Sequence, residues 1–258
     1  MIFREELLKD DYSLKEAEVV QLKFQEIIAI EQETSNINTV GDIKSVVGVD
    51  ISYYNTGTME YGVACAVLWN VERGLIEQKA FTQDTVKFPY KPGFLGFREC
   101  GLLAKSIIKL STVPDLIMCD GHGIIHPRNF GEAVQLGYSL DTPCIGVAKN
   151  PYIGYSKWKK IERKKGNRVP IWAIKTKSEI NVNQNKLLGY AVCLNDRSKP
   201  VFISVGYKIT IDIAIAICLA TSLDHRQPEP LFLADHLSKG EVKKIRSKLK
   251  PEYDLRII

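Results

Sequence analysis

The sequence predicts an α/β fold in which a mixed sheet is flanked by helices. Two observations predict it. Three consecutive segments rich in β-branched and aromatic residues are joined by short turns, which implies antiparallel neighbours. The pattern then changes to helix, strand, helix, strand, which implies parallel pairing.

The elements follow in order along the 258 residues. A helix is expected from Leu14 to Ile30. Ser13 and Glu16 form a capping box, and Ala17, Val20, Phe24, Ile27 and Ile28 line one apolar stripe. Strands are expected at Ser45–Tyr54, Tyr61–Trp69 and Leu75–Gln83, separated by turns around Asn55–Gly57 and Glu72–Gly74. A helix over Phe94–Leu110, a strand over Asp115–Asp120, a helix over Asn129–Leu140 and a strand over Cys144–Ala148 come next. An antiparallel three-strand meander followed by α-β-α-β is the layout of a ribonuclease-H-like sheet. Residues 151–170 read as an insertion. Later strands are expected at WAIKT (172–176), LLGYAVCL (187–194) and PVFISVGY (200–207), with a helix over Ile211–Leu223.

Composition narrows the class of protein. Hydrophobic residues make up 45% of the chain, enough for a sizeable core. No apolar run reaches the roughly 18 residues of a membrane span, and the charged N-terminus lacks a secretory signal. A cytoplasmic protein without a membrane partner is expected. The six cysteines lie in apolar runs with no CxxC pair, so they read as small buried hydrophobes. The four histidines have no Cys or His partner at zinc-ligand spacing. There is no nucleophile elbow, P-loop or G-x-G-x-x-G. Net charge is +5. Seven of the basic residues fall within Lys157–Arg168, near Tyr152, Tyr155 and Trp158. Positive charge with aromatic platforms suits a nucleic-acid backbone, and equally a solvated loop.

Three carboxylates stand where carboxylates are costly. Asp50 interrupts a strand that is otherwise VVGV and ISYY, on the face shared with Gly48 and Ser52. Glu99 falls in the middle of the apolar stripe formed by Leu95, Leu102, Leu103 and Leu110. Asp120 ends a strand of the parallel region, where α/β sheets place their chemistry. Each alone reads as a buried ion pair or cap. Together they suit a hard divalent cation such as Mg²⁺ or Mn²⁺, which polarises a phosphodiester and activates water.

The ordered segments GVDISY, FPYKPGFLGFRE, DGHGIIHPR, IGVAKN, PVFISVGY and QPEPLFLADHL closely resemble the endonuclease V family, from about Gln21 to Asp235. The resemblance implies one catalytic domain over 1–258, with the basic insertion at about 151–170. It implies cleavage 3′ to a deaminated base, chiefly inosine, in DNA or RNA, using Mg²⁺, for which Mn²⁺ substitutes; a monomer is expected. Asp50, Glu99 and Asp120 match the family's metal-binding acids. Tyr90, braced by Pro89 and Pro92, matches a wedge at the lesion. Lys149 matches a lysine beside the scissile phosphate. His126 matches the histidine of the HPR segment, expected to bond phosphate or Asp120, or to be structural. Gly93 belongs to the base pocket, and Gly121 and Gly123 are expected to let backbone approach the nucleotide. Many members have Gly-His where this chain has Gly206-Tyr207. A histidine there is expected near a second metal, a role Tyr207 does not fill, and Asp212 is taken as the fourth acid. A non-catalytic inosine binder and another ribonuclease-H-like nuclease, such as a resolvase, are the alternatives.

Overall fold

The computed structural model describes residues 4–31, 37–173 and 186–249. Helix α1 spans Leu14–Glu31. Its capping box is formed: the Ser13 backbone N–H donates to Glu16 Oε2 at 2.8 Å, and the Glu16 N–H donates to Ser13 Oγ at 3.3 Å. Ala17, Val20 and Phe24 are buried, as the stripe requires.

Strands β1 (Ser45–Thr56), β2 (Met59–Asn70) and β3 (Leu75–Thr85) form the antiparallel meander. Helix α2 (Leu95–Ile108), strand β4 (Leu116–Cys119), helix α3 (Glu132–Leu140) and strand β5 (Cys144–Ala148) follow. Strands β6 (Arg168–Ala173), β7 (Lys186–Val192) and β8 (Val201–Tyr207) precede helix α4 (Ile211–Ala220) and helix α5 (Glu229–Leu249). The eight strands form one sheet in the order β3-β2-β1-β4-β5-β8-β7-β6. Among the described strands, β1 pairs with β4 and β4 with β5 in parallel; β8 returns antiparallel to β5.

The sheet buries both faces. Val47, Val49 and Ile51 of β1 pack with α1, α2 and α3. Val46 on the other side of the strand packs with α4 and α5 residues such as Ile217 and Leu231. Alternation therefore turns Gly48, Asp50 and Ser52 towards α5. Gly48 is a glycine because a Cβ there would lie 2.2 Å from the Pro230 carbonyl carbon, so its absence lets α5 sit directly on β1.

Two expectations change here. Strand β6 begins at Arg168, four residues before WAIKT, and Ile174–Thr176 lie outside the described residues. The EPLFLADHL stretch, not assigned to an element from sequence, is the start of α5. Between β5 and β6, Trp158 packs edge-on against Phe202 while its neighbours Lys157, Lys159 and Lys160 stay exposed. All six cysteines are buried and unbridged. Among the described residues no helix is long and apolar enough to cross a membrane.

Candidate active site

Asp50, at the centre of the sheet, meets two other acids at its α5 side. Asp120 follows the last residue of β4, and Asp235 lies on the sheet-facing side of α5. Each offers a carboxylate oxygen, and the three oxygens lie within 4.8 Å of one another. Buried Ser238, one turn beyond Asp235, donates to Asp50 Oδ2 at 3.3 Å and lies 2.8 Å from the Ser52 hydroxyl. Lys149, just past β5, donates to Asp120 Oδ2 at 2.5 Å and stands 3.8 Å from Asp235 Oδ1. Lys239 closes on Asp235 from the other side at 2.7 Å.

The electrostatics match that geometry. Burial, followed by the charges of Asp120, Asp235 and Glu99, pushes the Asp50 carboxyl from 3.8 up to about 7. Burial alone would lower Lys149, but Asp120, then Asp235 and Asp50, hold it above the ordinary lysine value. Like charges crowded out of water are costly unless a cation joins them. Three oxygen donors at this spacing fit a hard divalent ion.

Glu99 comes from the opposite layer. It is half-buried on α2, accepts the Tyr53 hydroxyl at 2.5 Å and is bonded to the Glu132 carboxyl. Burial raises the Glu99 carboxyl, and burial with the charge of Glu99 raises that of Glu132 well above the ordinary range. Glu99 thus borders the three acids through Asp50 without being one of the grouped three. Asp235 and Glu132 were not singled out from the sequence. The signal for Asp235 was available: Leu231, Ala234, Ser238 and Val242 recur at helical spacing and are buried, and Asp235 sits against that stripe as Glu99 does in α2.

A cavity of about 400 Å³ opens beside the acids, lined in part by Tyr90, Gly93, Asp120, Gly121, His122 and Tyr152. Tyr90 is 68% exposed, while Phe88 is buried and anchors its loop from below. Gly93 has φ +86°, and its carbonyl accepts from Gln21 Nε2, His126 Nε2 and Arg128 Nη2 at 3.0–3.1 Å. His126 is buried; its Nδ1 accepts the backbone N–H groups of Arg128 and Phe130, so its proton sits on Nε2 and is donated to Gly93. Burial pushes both His126 and His122 down to about 4, so both rings are neutral.

Several expectations are corrected here. His126 braces the Tyr90 loop and does not bond Asp120; its two nitrogens are used by backbone. Gly121 and Gly123 also have a packing reason for being glycine, beside the expected one: a Cβ would meet Glu132 Oε2 at 2.1 Å and the Val205 carbonyl oxygen at 1.9 Å. Asp212 is 77% exposed in the first turn of α4, pairs with Arg168 at 3.3 Å, and is not among the grouped acids. Tyr207 does not stand in for a metal ligand. Because β8 is antiparallel to β5, Tyr207 pairs with Cys144, at the opposite end of β5 from Lys149, and its hydroxyl donates to Asp141 at 3.0 Å.

Carboxylate oxygens converging from mid-β1, the end of β4 and α5, a lysine held against them and an adjoining cavity edged by an exposed tyrosine define a metal-dependent nuclease on a ribonuclease-H-like sheet. The chain belongs to the endonuclease V family: the family model described as Endonuclease V matches residues 24–236. Endonuclease V of Dictyoglomus turgidum is 35% identical over 220 residues, covering 84% of this chain and 90% of the relative. The crystal structure of Endonuclease V from Streptomyces avermitilis is 31% identical with a TM-score of 0.78, covering 92% of this chain and 96% of that one. Endonuclease V from Ciona intestinalis, crystallised in complex with a 24mer DNA containing an inosine followed by a ribo-adenosine, is 26% identical with a TM-score of 0.74. That match covers 90% of this chain and 98% of the Ciona chain.

Proposed function

We propose that this chain is a Mg²⁺-dependent endonuclease, with Mn²⁺ able to substitute, that cuts DNA or RNA one phosphodiester 3′ of a deaminated base, inosine foremost, and so initiates repair. The observation that carries the reading is the group of Asp50, Asp120 and Asp235 beside Lys149, opening onto the Tyr90 cavity. Asp50, Asp120 and Asp235 would hold the ion, with Glu99 at its border. The bound ion supplies polarisation of the phosphodiester and a water activated for in-line attack, leaving 3′-hydroxyl and 5′-phosphate ends.

The chain's own residues do the rest. Lys149, kept protonated by its acids, neutralises charge that grows on the phosphate as attack proceeds. Tyr90, rigid between Pro89 and Pro92, enters the step vacated by the lesion. Unstacking costs a few kcal/mol, and less for a mismatched base, which favours damaged sites. Gly93 and Gly121 shape the pocket wall, and neutral His126 keeps the Gly93 carbonyl in place. The exposed lysines of 157–160 offer a sequence-independent hold on the backbone. Six free, buried cysteines support action in a reducing compartment, the cytoplasm. The non-catalytic alternative loses its motive, since Tyr207 lies away from the acids.

The test uses inosine-containing DNA and RNA, each with Mg²⁺, Mn²⁺ or chelator. Cleavage one bond 3′ of inosine, with either metal and not with chelator, is the expected result. Metal-dependent cutting indifferent to inosine would instead support another ribonuclease-H-like nuclease.

A further inference from the structure

A second groove begins where the acids end. It holds about 830 Å³ and is walled by Ile51, Ser52 and Tyr53 of β1 and by Lys239, Val242, Lys243, Arg246 and Ser247 of α5. It carries three cations and no acid. Both walls continue from the acid group. Ser52 is two residues beyond Asp50 on the same face of β1, and Lys239, Lys243 and Arg246 lie at helical spacing beyond Asp235. Lys239 is tied to Asp235 at 2.7 Å, whereas Lys243 and Arg246 are exposed and have no ion-pair partner among the described residues. Tyr53 borders the groove from β1, while its side chain turns to the opposite layer and its hydroxyl donates to Glu99. A row of cations along a groove is what the phosphates of a nucleic-acid strand require of a protein surface.

We propose that this β1–α5 groove binds the sugar–phosphate backbone of the substrate strand on the 3′ side of the cut, with Lys243 and Arg246 as its phosphate contacts. The inference rests on the endonuclease reading for its polarity. The Tyr90 cavity lies on one side of the acids and the groove on the other. A lesion in the cavity with its scissile phosphate one step further 3′, at the acids, sends the next nucleotides into the groove. From Asp235 to Arg246 the helix rises about 16 Å at 1.5 Å per residue. That is room for about five nucleotides at the 3.4 Å duplex rise, and fewer if the strand is extended. The spacing lets Lys239 serve the acid group while the next two cations hold the strand as it leaves.

The experiment measures binding in chelator, so that no cutting intervenes. Fluorescence anisotropy is followed against salt for inosine DNA whose flanks are shortened from one end at a time. Wild type is compared with Lys243→Ala/Arg246→Ala, with the charge-preserving Lys243→Arg/Arg246→Lys and with Lys248→Ala outside the groove. Neutralising the pair should lower the slope of log affinity against log salt by about two and weaken binding to long substrates about tenfold. It should also abolish the penalty for shortening the 3′ flank and leave the 5′ penalty intact. The charge-preserving pair and Lys248→Ala should follow wild type. A neutral pair that matches wild type in slope and flank dependence, or that loses the 5′ penalty instead, overturns the groove assignment. A wild type indifferent to inosine, beside a neutral pair that still loses salt slope, keeps the groove and sinks the inosine-directed reading on which its polarity rests.

Discussion

The acid group and the pocket wall beside it share Asp120, yet they are held together on opposite electrostatic terms. Around Asp50 three carboxylates crowd within 4.8 Å, and their burial and mutual repulsion keep a proton on Asp50 up to about pH 7. Around Gly93 nothing is charged against its like: a neutral histidine, an amide and a guanidinium converge on one carbonyl. The first region is poised for a cation and is destabilised without one. The second is complete by itself and needs only a ligand of the right shape. A site can thus separate the part that does chemistry from the part that recognises.

The largest effect expected from breaking that division is at Asp120. Asp120→Ala should lower cleavage at least about a thousandfold, the scale of removing a main transition-state stabiliser, while affinity for inosine DNA in chelator is kept. Single-turnover cleavage and anisotropy read the two separately, and a variant cutting at the wild-type rate would dissolve the distinction.

The next effect is on stability, where the two regions should respond to pH with opposite signs. Asp50 titrates at about 7 when folded against 3.8 ordinarily. The metal-free fold therefore loses Asp50's favourable contribution as pH rises from about 4 to about 7. At ~1.4 kcal/mol per pKa unit the change is at most about 4 kcal/mol. His126 and His122 titrate at about 4 when folded against 6.5. Their contribution is present above pH 6.5 and is lost as pH falls towards 4. Thermal unfolding in chelator should show Asp50→Asn flattening the loss on the neutral side and His126→Gln shrinking the loss on the acid side. If Asp50→Asn leaves the pH dependence unchanged, the strain ascribed to the acids is absent.

Tyr90→Ala should cost inosine affinity about tenfold, in line with ~1–3 kcal/mol per stacked base, while affinity for undamaged DNA stays level; competition binding checks this. The smallest effect is at Asp212. Its pair with Arg168 is exposed, so Asp212→Ala should change stability by less than about 0.5 kcal/mol and cleavage by less than about twofold.

Much of this was legible in the sequence because it is written in local patterns. The meander, the Ser13–Glu16 cap and the β1 alternation each follow from short-range periods, and Asp50, Glu99 and Asp120 betray themselves by being costly where they stand. Three things were not legible, each for a spatial reason. The buried stripe of α5 is made partly of Ala234 and Ser238 and begins at Pro-Glu-Pro, so it lacks the apolar contrast that marks α2, and Asp235 went unnoticed with it. Tyr207 was placed near the acids by family resemblance; strand direction is not written in a strand's own residues, and antiparallel β8 carries it to the far end of β5. Asp212 reads alike as a ligand or a first-turn charge until Arg168 is seen beside it.

The central claim is that Asp50, Asp120 and Asp235 together form the divalent-metal site. Calorimetric titration with Mn²⁺ at pH 6, on wild type, Asp235→Ala and Asp212→Ala, tests it most directly. Wild type and Asp212→Ala should bind alike and release a proton from Asp50, while Asp235→Ala should bind at least about tenfold more weakly. Wild-type affinity in Asp235→Ala would contradict the account.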